Sequence, residues 1–186
     1  IDISRIPPHK LRAPVGKLET YQRITEAIKT YEEQEKFIDI NIKSAHDDGR
    51  AKLLHETDKY SVIGKVHDFL RKNGFNKQEI GLFVNLQKEA AIPAEGWHKG
   101  GLWLITPKPD EALPNEHASD KGGIHIVNYP GTNLAASYIH GMAAYVGLSH
   151  DQVEELEKAF VKNEEIPKES KERFHSGIQE RMKKPY

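Results

Sequence analysis

The stretch of this chain whose residue types and spacing could do chemistry is SYIHGMAAYVGLSHDQ, residues 137–152. His140 lies seven residues before Gly147 and ten residues before His150. In one kind of zinc-binding helix, two histidines four residues apart share a face, and a glycine seven residues after the first lets a third histidine complete the site. The first histidine, the glycine and the third histidine of that pattern are present.

Two groups that zinc hydrolysis needs are absent from this pattern. Gly141 stands at the position of the general base and has no side chain that could activate water. Ala144 stands at the position of the second metal ligand and cannot bind a metal. His140 and His150 would therefore hold zinc only with help from residues elsewhere in the chain.

The longer segment GTNLAASYIHGMAAYVGLSHD, residues 131–151, resembles the active-site helix of metzincin zinc endopeptidases, including its GLSHD ending. This resemblance implies a zincin-like fold, zinc as the cofactor, and His140 and His150 as the first and third metal ligands. It implies a metzincin-like metalloprotease domain whose site is eroded or silenced and whose cleft still binds a peptide or a protein. If the domain were active, it would be a metal-dependent peptidase or hydrolase.

A second interpretation treats the same stretch as a joint between two helices. Gly147 suits the left-handed position that ends a helix, and Ser149 with Gln152 can form a capping box that begins the next one. This interpretation explains the stretch apart from its two histidines. It predicts a non-catalytic protein-interaction domain.

A third interpretation is a histidine acid/base enzyme with His125 and His140 as the catalytic residues. His125 lies in GIHIV, on the strand face opposite Ile124 and Ile126, and His140 lies on the helix that follows this strand. Because histidine titrates near neutral pH, one ring could accept a proton while the other donates one.

Loop residues near the predicted strands could supply the groups that Gly141 and Ala144 lack. The candidates are Glu95, Glu111, Glu116 and His117. Lys-Gly-Gly also occurs twice, at 99–101 and 121–123, each time before a predicted strand. Both turns would lie at one edge of the sheet, as a possible anion site, only if the two strands are parallel and adjacent.

Hydrophobic periodicity and turn residues predict the elements that must position these side chains. We expect helices at 18–31 and 57–74, strands at 80–86, 101–106 and 123–128, and a long loop at 107–123. Three further helices follow, the first beginning at Thr132 or Asn133. The order predicts an α+β fold, with N-terminal helices packed on a small mixed sheet and a C-terminal helical pair, compatible with a zincin-like domain. Residues 1–16 read as an extended arm and 17–186 as one domain.

Composition limits the partners and the compartment. The 186 residues include 27 Lys and Arg against 28 Asp and Glu, so net charge does not favour nucleic acid or a membrane surface. No apolar run approaches the roughly 20 residues that span a bilayer, and we expect a soluble domain. The absence of cysteine excludes disulfides and thiolate metal sites, and it is compatible with either the cytoplasm or a secreted bacterial protein.

Overall fold

The computed structural model describes residues 31–54, 62–88, 100–109, 113–119 and 123–183. These residues form six helices and four strands, so the predicted α+β class is confirmed. In chain order the elements are α1 (Tyr31–Asp47), β1 (Ala51–Leu53), α2 (Gly64–Lys72), α3 (Lys77–Lys88), β2 (Leu102–Ile105), β3 (Glu116–Ser119), β4 (Gly123–Val127), α4 (Leu134–Tyr145), α5 (His150–Lys162) and α6 (Lys168–Lys183).

The four strands form one mixed sheet in the order β1-β2-β4-β3. Strands β2 and β4 are parallel, with Trp103 opposite His125, whereas β1 and β3 run antiparallel to their neighbours. In the β3–β4 pair, Glu116 lies opposite Ile126 and His117 opposite His125. Because successive side chains of a strand point to opposite faces, Glu116 shares a face with Ile126, and His117 shares the other face with His125.

Each face of the sheet is covered by a helix that follows the hydrophobic side chains of the strands. Helix α1 packs on one face through Ile38, Ile42 and Ala45, which form a buried cluster with Ile105 and Val127. Helix α4 covers the other face, where Ile139, Met142 and Ala143 join a larger buried cluster with Leu102, Ile124 and Ile126. That larger core also takes in side chains of α2, α3, α5 and α6. Helix α4 is thus enclosed between the sheet and other helices.

Residues 80–86 are not a strand, as the sequence analysis predicted, but the greater part of helix α3. The helix begins with a reciprocal cap, in which Asn76 Oδ1 accepts from the Glu79 amide and Glu79 Oε1 accepts from the Asn76 amide. Ile80 and Phe83, three residues apart, are both buried. The prediction was wrong because a short apolar run fits the hydrophobic period of a strand and that of a helix equally well. The cap at Asn76 favours the helix.

The predicted loop at 107–123 contains strand β3, so that prediction was also wrong over Glu116–Ser119. EHAS is a polar sequence with little strand propensity of its own. Its strand conformation comes from antiparallel pairing with the apolar strand β4.

Several local signals were interpreted correctly. Asn133 is the N-cap of α4, Gly147 has φ +85°, and Ser149 with Gln152 forms the predicted capping box of α5. Gly74, with φ +87°, follows the C-cap Asn73 of α2. The predicted arm 1–16, almost all of the predicted helix at 18–31, and the predicted helix start at Thr57 or Asp58 lie outside the described residues. None of the helices in the described ranges is both long and apolar enough to cross a membrane.

A buried histidine couples this fold to pH. His67 of α2 is 6% exposed, and its Nε2 lies 3.0 Å from the hydroxyl of Tyr138 on α4. Burial, followed by the nearby charge of Arg71, lowers the pKa of His67 from 6.5 to about 4. Burial also raises the pKa of Tyr138. Since the folded state binds the His67 proton more weakly than the unfolded state does, the stability that depends on neutral His67 is present above pH 6.5 and is lost as the pH falls toward 4.

We therefore predict that the His67→Gln variant loses less stability on acidification than the parent chain. Lowering the pKa of His67 from 6.5 to about 4 makes the free energy of unfolding about 3 kcal/mol smaller at pH 4 than at pH 6.5, at 1.36 kcal/mol per pKa unit. The measurement is the free energy of unfolding by urea at both pH values. Tyr138→Phe is the matched control, because it removes the hydroxyl but leaves the titrating ring in place. Equal acid dependence in His67→Gln and the parent would contradict this assignment.

Candidate functional site

Helix α4 approaches strand β4 closely because residue 141 is glycine. A Cβ at Gly141 would lie 2.6 Å from Cγ2 of Ile124, a contact that folded proteins do not tolerate without a shift. Ile124 is fully buried, so it has little room to move. The position that the metzincin resemblance assigns to a general base therefore points its Cβ into the core and not toward solvent. Gly141 has a packing role that a glutamate could not fill in this arrangement.

The ring of His140 lies between two carboxylates from different elements. Its Nε2 is 3.1 Å from Oε1 of Glu116 on β3, and its Nδ1 is 2.6 Å from Oε2 of Glu157 on α5. The side chains of His140 and Glu116 are 1% and 2% exposed, and that of Glu157 is 14% exposed. This contact connects β3, α4 and α5 through ionisable groups in the interior. Of the two suggested suppliers that the structure describes, Glu116 and His117, it is Glu116 that lies in contact with His140.

His140 and His150 border the same cavity, of about 240 Å³, beside edge strand β3. The cavity is also lined by Ala144, which is exposed, and by Leu148 and Val153. Its polar lining residues are Glu35, Glu116, His117, His140 and His150. His140 and His150 therefore face a shared space, and Ala144 lies between them in sequence.

The described residues contain one group of three possible metal ligands, and it differs from the pair that the resemblance implies. His140, Glu154 and Glu157 place one donor atom each within 4.8 Å of one another, which is the spacing of a possible metal site. Within the described residues, no comparable group of three ligands includes His150. The two carboxylates of α5 were missed by the sequence analysis. Their Glu-x-x-Glu spacing on the helix after His150 was the available signal.

His117 lies on the α1 side of edge strand β3. Its Nε2 is 3.4 Å from Oε2 of Glu35 and 3.5 Å from Oδ1 of Asp39, both on α1. The His117 side chain is 7% exposed, and it lines the cavity together with Glu35. Two of the proposed loop candidates, Glu116 and His117, thus reach the cavity from opposite faces of one strand. Glu95 and Glu111 lie outside the described residues.

The structure does not bring His125 and His140 together. His125 points to the α1 face of the sheet, where its Nε2 is 3.0 Å from Nε2 of His46 and its ring stacks on Trp103. His140 lies on the opposite face, on helix α4. The sheet therefore separates the two rings that the acid/base interpretation paired. The sequence analysis placed His125 on the strand face opposite Ile124 and Ile126, and the strand register agrees with that placement.

The described glycines of the two Lys-Gly-Gly segments, Gly100, Gly101 and Gly123, lie together where the parallel strands β2 and β4 begin. The amide of Ile124 donates to the carbonyl of Gly101, and a Cβ at Gly123 would lie 2.5 Å from Gly100 and Gly101 backbone atoms. Gly123, at φ +75°, therefore serves close backbone contact. Lys99 and Lys121 lie outside the described residues, so the anion site remains a prediction.

Comparison with known proteins identifies no relative. No family model matches the chain, and neither the curated proteins nor the solved structures include a significant match.

The packing role of Gly141 predicts opposite effects for the same substitution at two helix positions. Gly141→Ala should destabilise the fold by about 1–3 kcal/mol, because the added methyl overpacks against Ile124. Gly81→Ala in α3, where a Cβ meets nothing within 4 Å, should stabilise it by about 0.5–1 kcal/mol. The measurement is the free energy of unfolding by denaturant. Similar effects of the two substitutions would refute the close contact between α4 and β4.

Proposed function

We propose that this chain is a metzincin-like domain with an eroded active site, which binds a peptide or protein segment without cleaving it by the metzincin mechanism. The observation that carries the proposal is the cavity beside β3, which is bordered by both histidines of the eroded motif. Strand β3 is an edge of the described sheet, and such an edge can pair with an extended peptide as an added strand. The zincin-like fold is part of this proposal.

The lining of the cavity favours a basic side chain of the bound segment. A volume of about 240 Å³ suits one amino-acid side chain better than a larger ligand, since small-molecule pockets generally occupy about 300–1,000 Å³. Glu35 and Glu116 line it, and its described lining residues include no lysine or arginine. The apolar surfaces of Leu148 and Val153 can contact the methylene groups of a lysine or arginine, whose charged end pairs with a carboxylate.

Hydrolysis by the metzincin route is disfavoured by two positions. A base at residue 141 would have to displace Ile124, and Ala144 offers no metal ligand. A hydrolytic alternative would have to use another carboxylate as the base. Glu116, which lies in the cavity, is the candidate.

Peptide binding tests the proposal. Lysine- and arginine-containing peptides should bind more tightly than acidic peptides of equal length, as measured by fluorescence anisotropy. Glu35→Gln should weaken binding of the basic peptides about tenfold, because it removes a carboxylate from the cavity wall. Glu33→Gln is the matched control, since it removes the same charge from the same helix at a residue that does not line the cavity. Equal effects of the two variants, or no binding of basic peptides, would refute the proposal.

A second candidate function is a non-catalytic interaction domain that docks through its C-terminal helical pair. The observation that favours it is a cavity of about 370 Å³ between the α4–α5 turn and α6. Its charged lining residues are three basic ones, Arg173, Arg181 and Lys183, and one acidic one, Glu180. The Arg181 guanidinium lies 4.1 Å from the centroid of the Tyr145 ring. This surface suits an acidic segment. The same peptide panel separates the two functions, since preferential binding of acidic peptides, lost in Lys183→Gln, would favour the second.

A further inference from the structure

We infer that a divalent cation, zinc in the first instance, binds at Nδ1 of His140 with Glu154 and Glu157 as its other protein ligands. This site differs from the one that the metzincin resemblance implies, which would use His140 with His150. One donor atom of each of the three residues lies within 4.8 Å of the others. Imidazole nitrogen and carboxylate oxygen are both ordinary zinc ligands, and three protein ligands leave a position for water or another donor.

The spacing of the donors allows an ion to enter with a small adjustment. Glu154 and Glu157 are three residues apart on α5, so their side chains share one face of the helix. Zinc bonds of 2.0–2.2 Å in tetrahedral geometry place neighbouring ligand atoms about 3.3 Å apart. The 2.6 Å contact between His140 Nδ1 and Glu157 Oε2 would have to open by roughly 0.7 Å on that basis. Both glutamates are only partly buried, so their side chains have room for this movement.

The opposite side of the ring lies beside a carboxylate that is not one of the three ligands. Nε2 of His140 is 3.1 Å from Oε1 of Glu116, which is 2% exposed, but the two atoms are not aligned as a hydrogen bond. Nδ1 is the nitrogen that contacts α5, through Glu157. A metal-binding histidine generally donates its second ring N–H to a carboxylate, which fixes the tautomer and the orientation of the ring, and in the zinc-bound form Glu116 would accept that bond. Glu116 is therefore a positioning residue for this site and not a ligand.

Charge also favours a cation at this position. Glu116, Glu154 and Glu157 place three carboxyl groups around one imidazole. Carboxylates that are removed from water need compensating charge, and a divalent ion at this position would contribute two positive charges. Because α5 presents the two ligands from its partly buried face, an ion can reach them from solvent.

The zinc site and the peptide cavity share His140 but can be tested separately. Glu116 and His140 line the cavity, whereas Glu154 and Glu157 do not. The carboxylates of the cavity are those of Glu35 and Glu116, and the carboxylates of the zinc site are those of Glu154 and Glu157. Loss of one kind of binding can be observed while the other is retained.

The test is zinc binding to the full chain by isothermal titration calorimetry, with ZnCl₂ as the probe. Glu154→Gln and Glu157→Gln should each weaken zinc binding at least tenfold, because each removes an anionic ligand. Glu155→Gln is the matched control, since it removes the same charge from the same helix and keeps an oxygen that can accept from Ser170. It should change the affinity less than twofold. His140→Gln should abolish binding at this site, and circular dichroism establishes whether each variant is folded.

Two outcomes would overturn the inference. One is the absence of zinc binding by the folded parent chain. The other is zinc binding that is equally strong in the parent, Glu154→Gln and Glu157→Gln, which would place the ion at histidines elsewhere. Binding of basic peptides by Glu154→Gln at the parent level, together with loss of zinc, supports the inference and keeps it separate from the peptide proposal. Zinc binding by Glu35→Gln at the parent level, together with weaker peptide binding, also supports the inference and keeps it separate from the peptide proposal.

Discussion

A buried imidazole held between two carboxylates is the interaction on which the proposed sites depend. His140 contacts Glu116 of the edge strand and Glu157 of the following helix, so one ring on α4 connects β3 to α5. Removal of one partner from a buried polar contact generally costs about 1–3 kcal/mol, because the group left behind is removed from water without that partner. The contact forms only if α4 lies close to the sheet, and Gly141 permits that approach. Gly141 thus brings His140 into position.

The residues around His140 explain how a protease-like pattern can exist without the protease's ligand set. Gly147 and the Ser149–Gln152 capping box reproduce the turn between the two helices, and His150 still borders the cavity. The ligands available to His140, however, come from α5 at Glu154 and Glu157. The helix–turn–helix backbone of residues 134–162 therefore does not determine which ligands surround His140. This arrangement supports a cavity that binds without metzincin hydrolysis and a metal site on the other side of the ring.

The sequence predicted those parts of the structure that short-range interactions determine. The cap of α4 at Asn133, the left-handed Gly147 and the capping box of α5 each involve residues within a few positions of one another. The α+β class followed from the order of such elements. The error at α3 belongs to the same category, because the Asn76–Glu79 cap was a local signal that was overlooked.

The site could be predicted only in part, because its contacts join residues far apart in the chain. His140 and Glu116 were identified by residue type, but sequence gave no distance between β3 and α4. Strand β3 itself depends on pairing with β4, so EHAS read as a loop. Pairing His125 with His140 required both to lie on one face of the sheet. Which face α4 covers is a property of the folded core, since either face of β4 is apolar enough to be buried.

The most direct test of the orientation of His140 is a crystal structure of the zinc-soaked protein with anomalous data collected at the zinc absorption edge. The account predicts an anomalous peak about 2.1 Å from Nδ1 of His140, with carboxylate oxygens of Glu154 and Glu157 at a similar distance. Glu116 should remain within hydrogen-bond distance of Nε2. A peak on the Nε2 side that His140 shares with His150, or no peak near His140, would contradict the account.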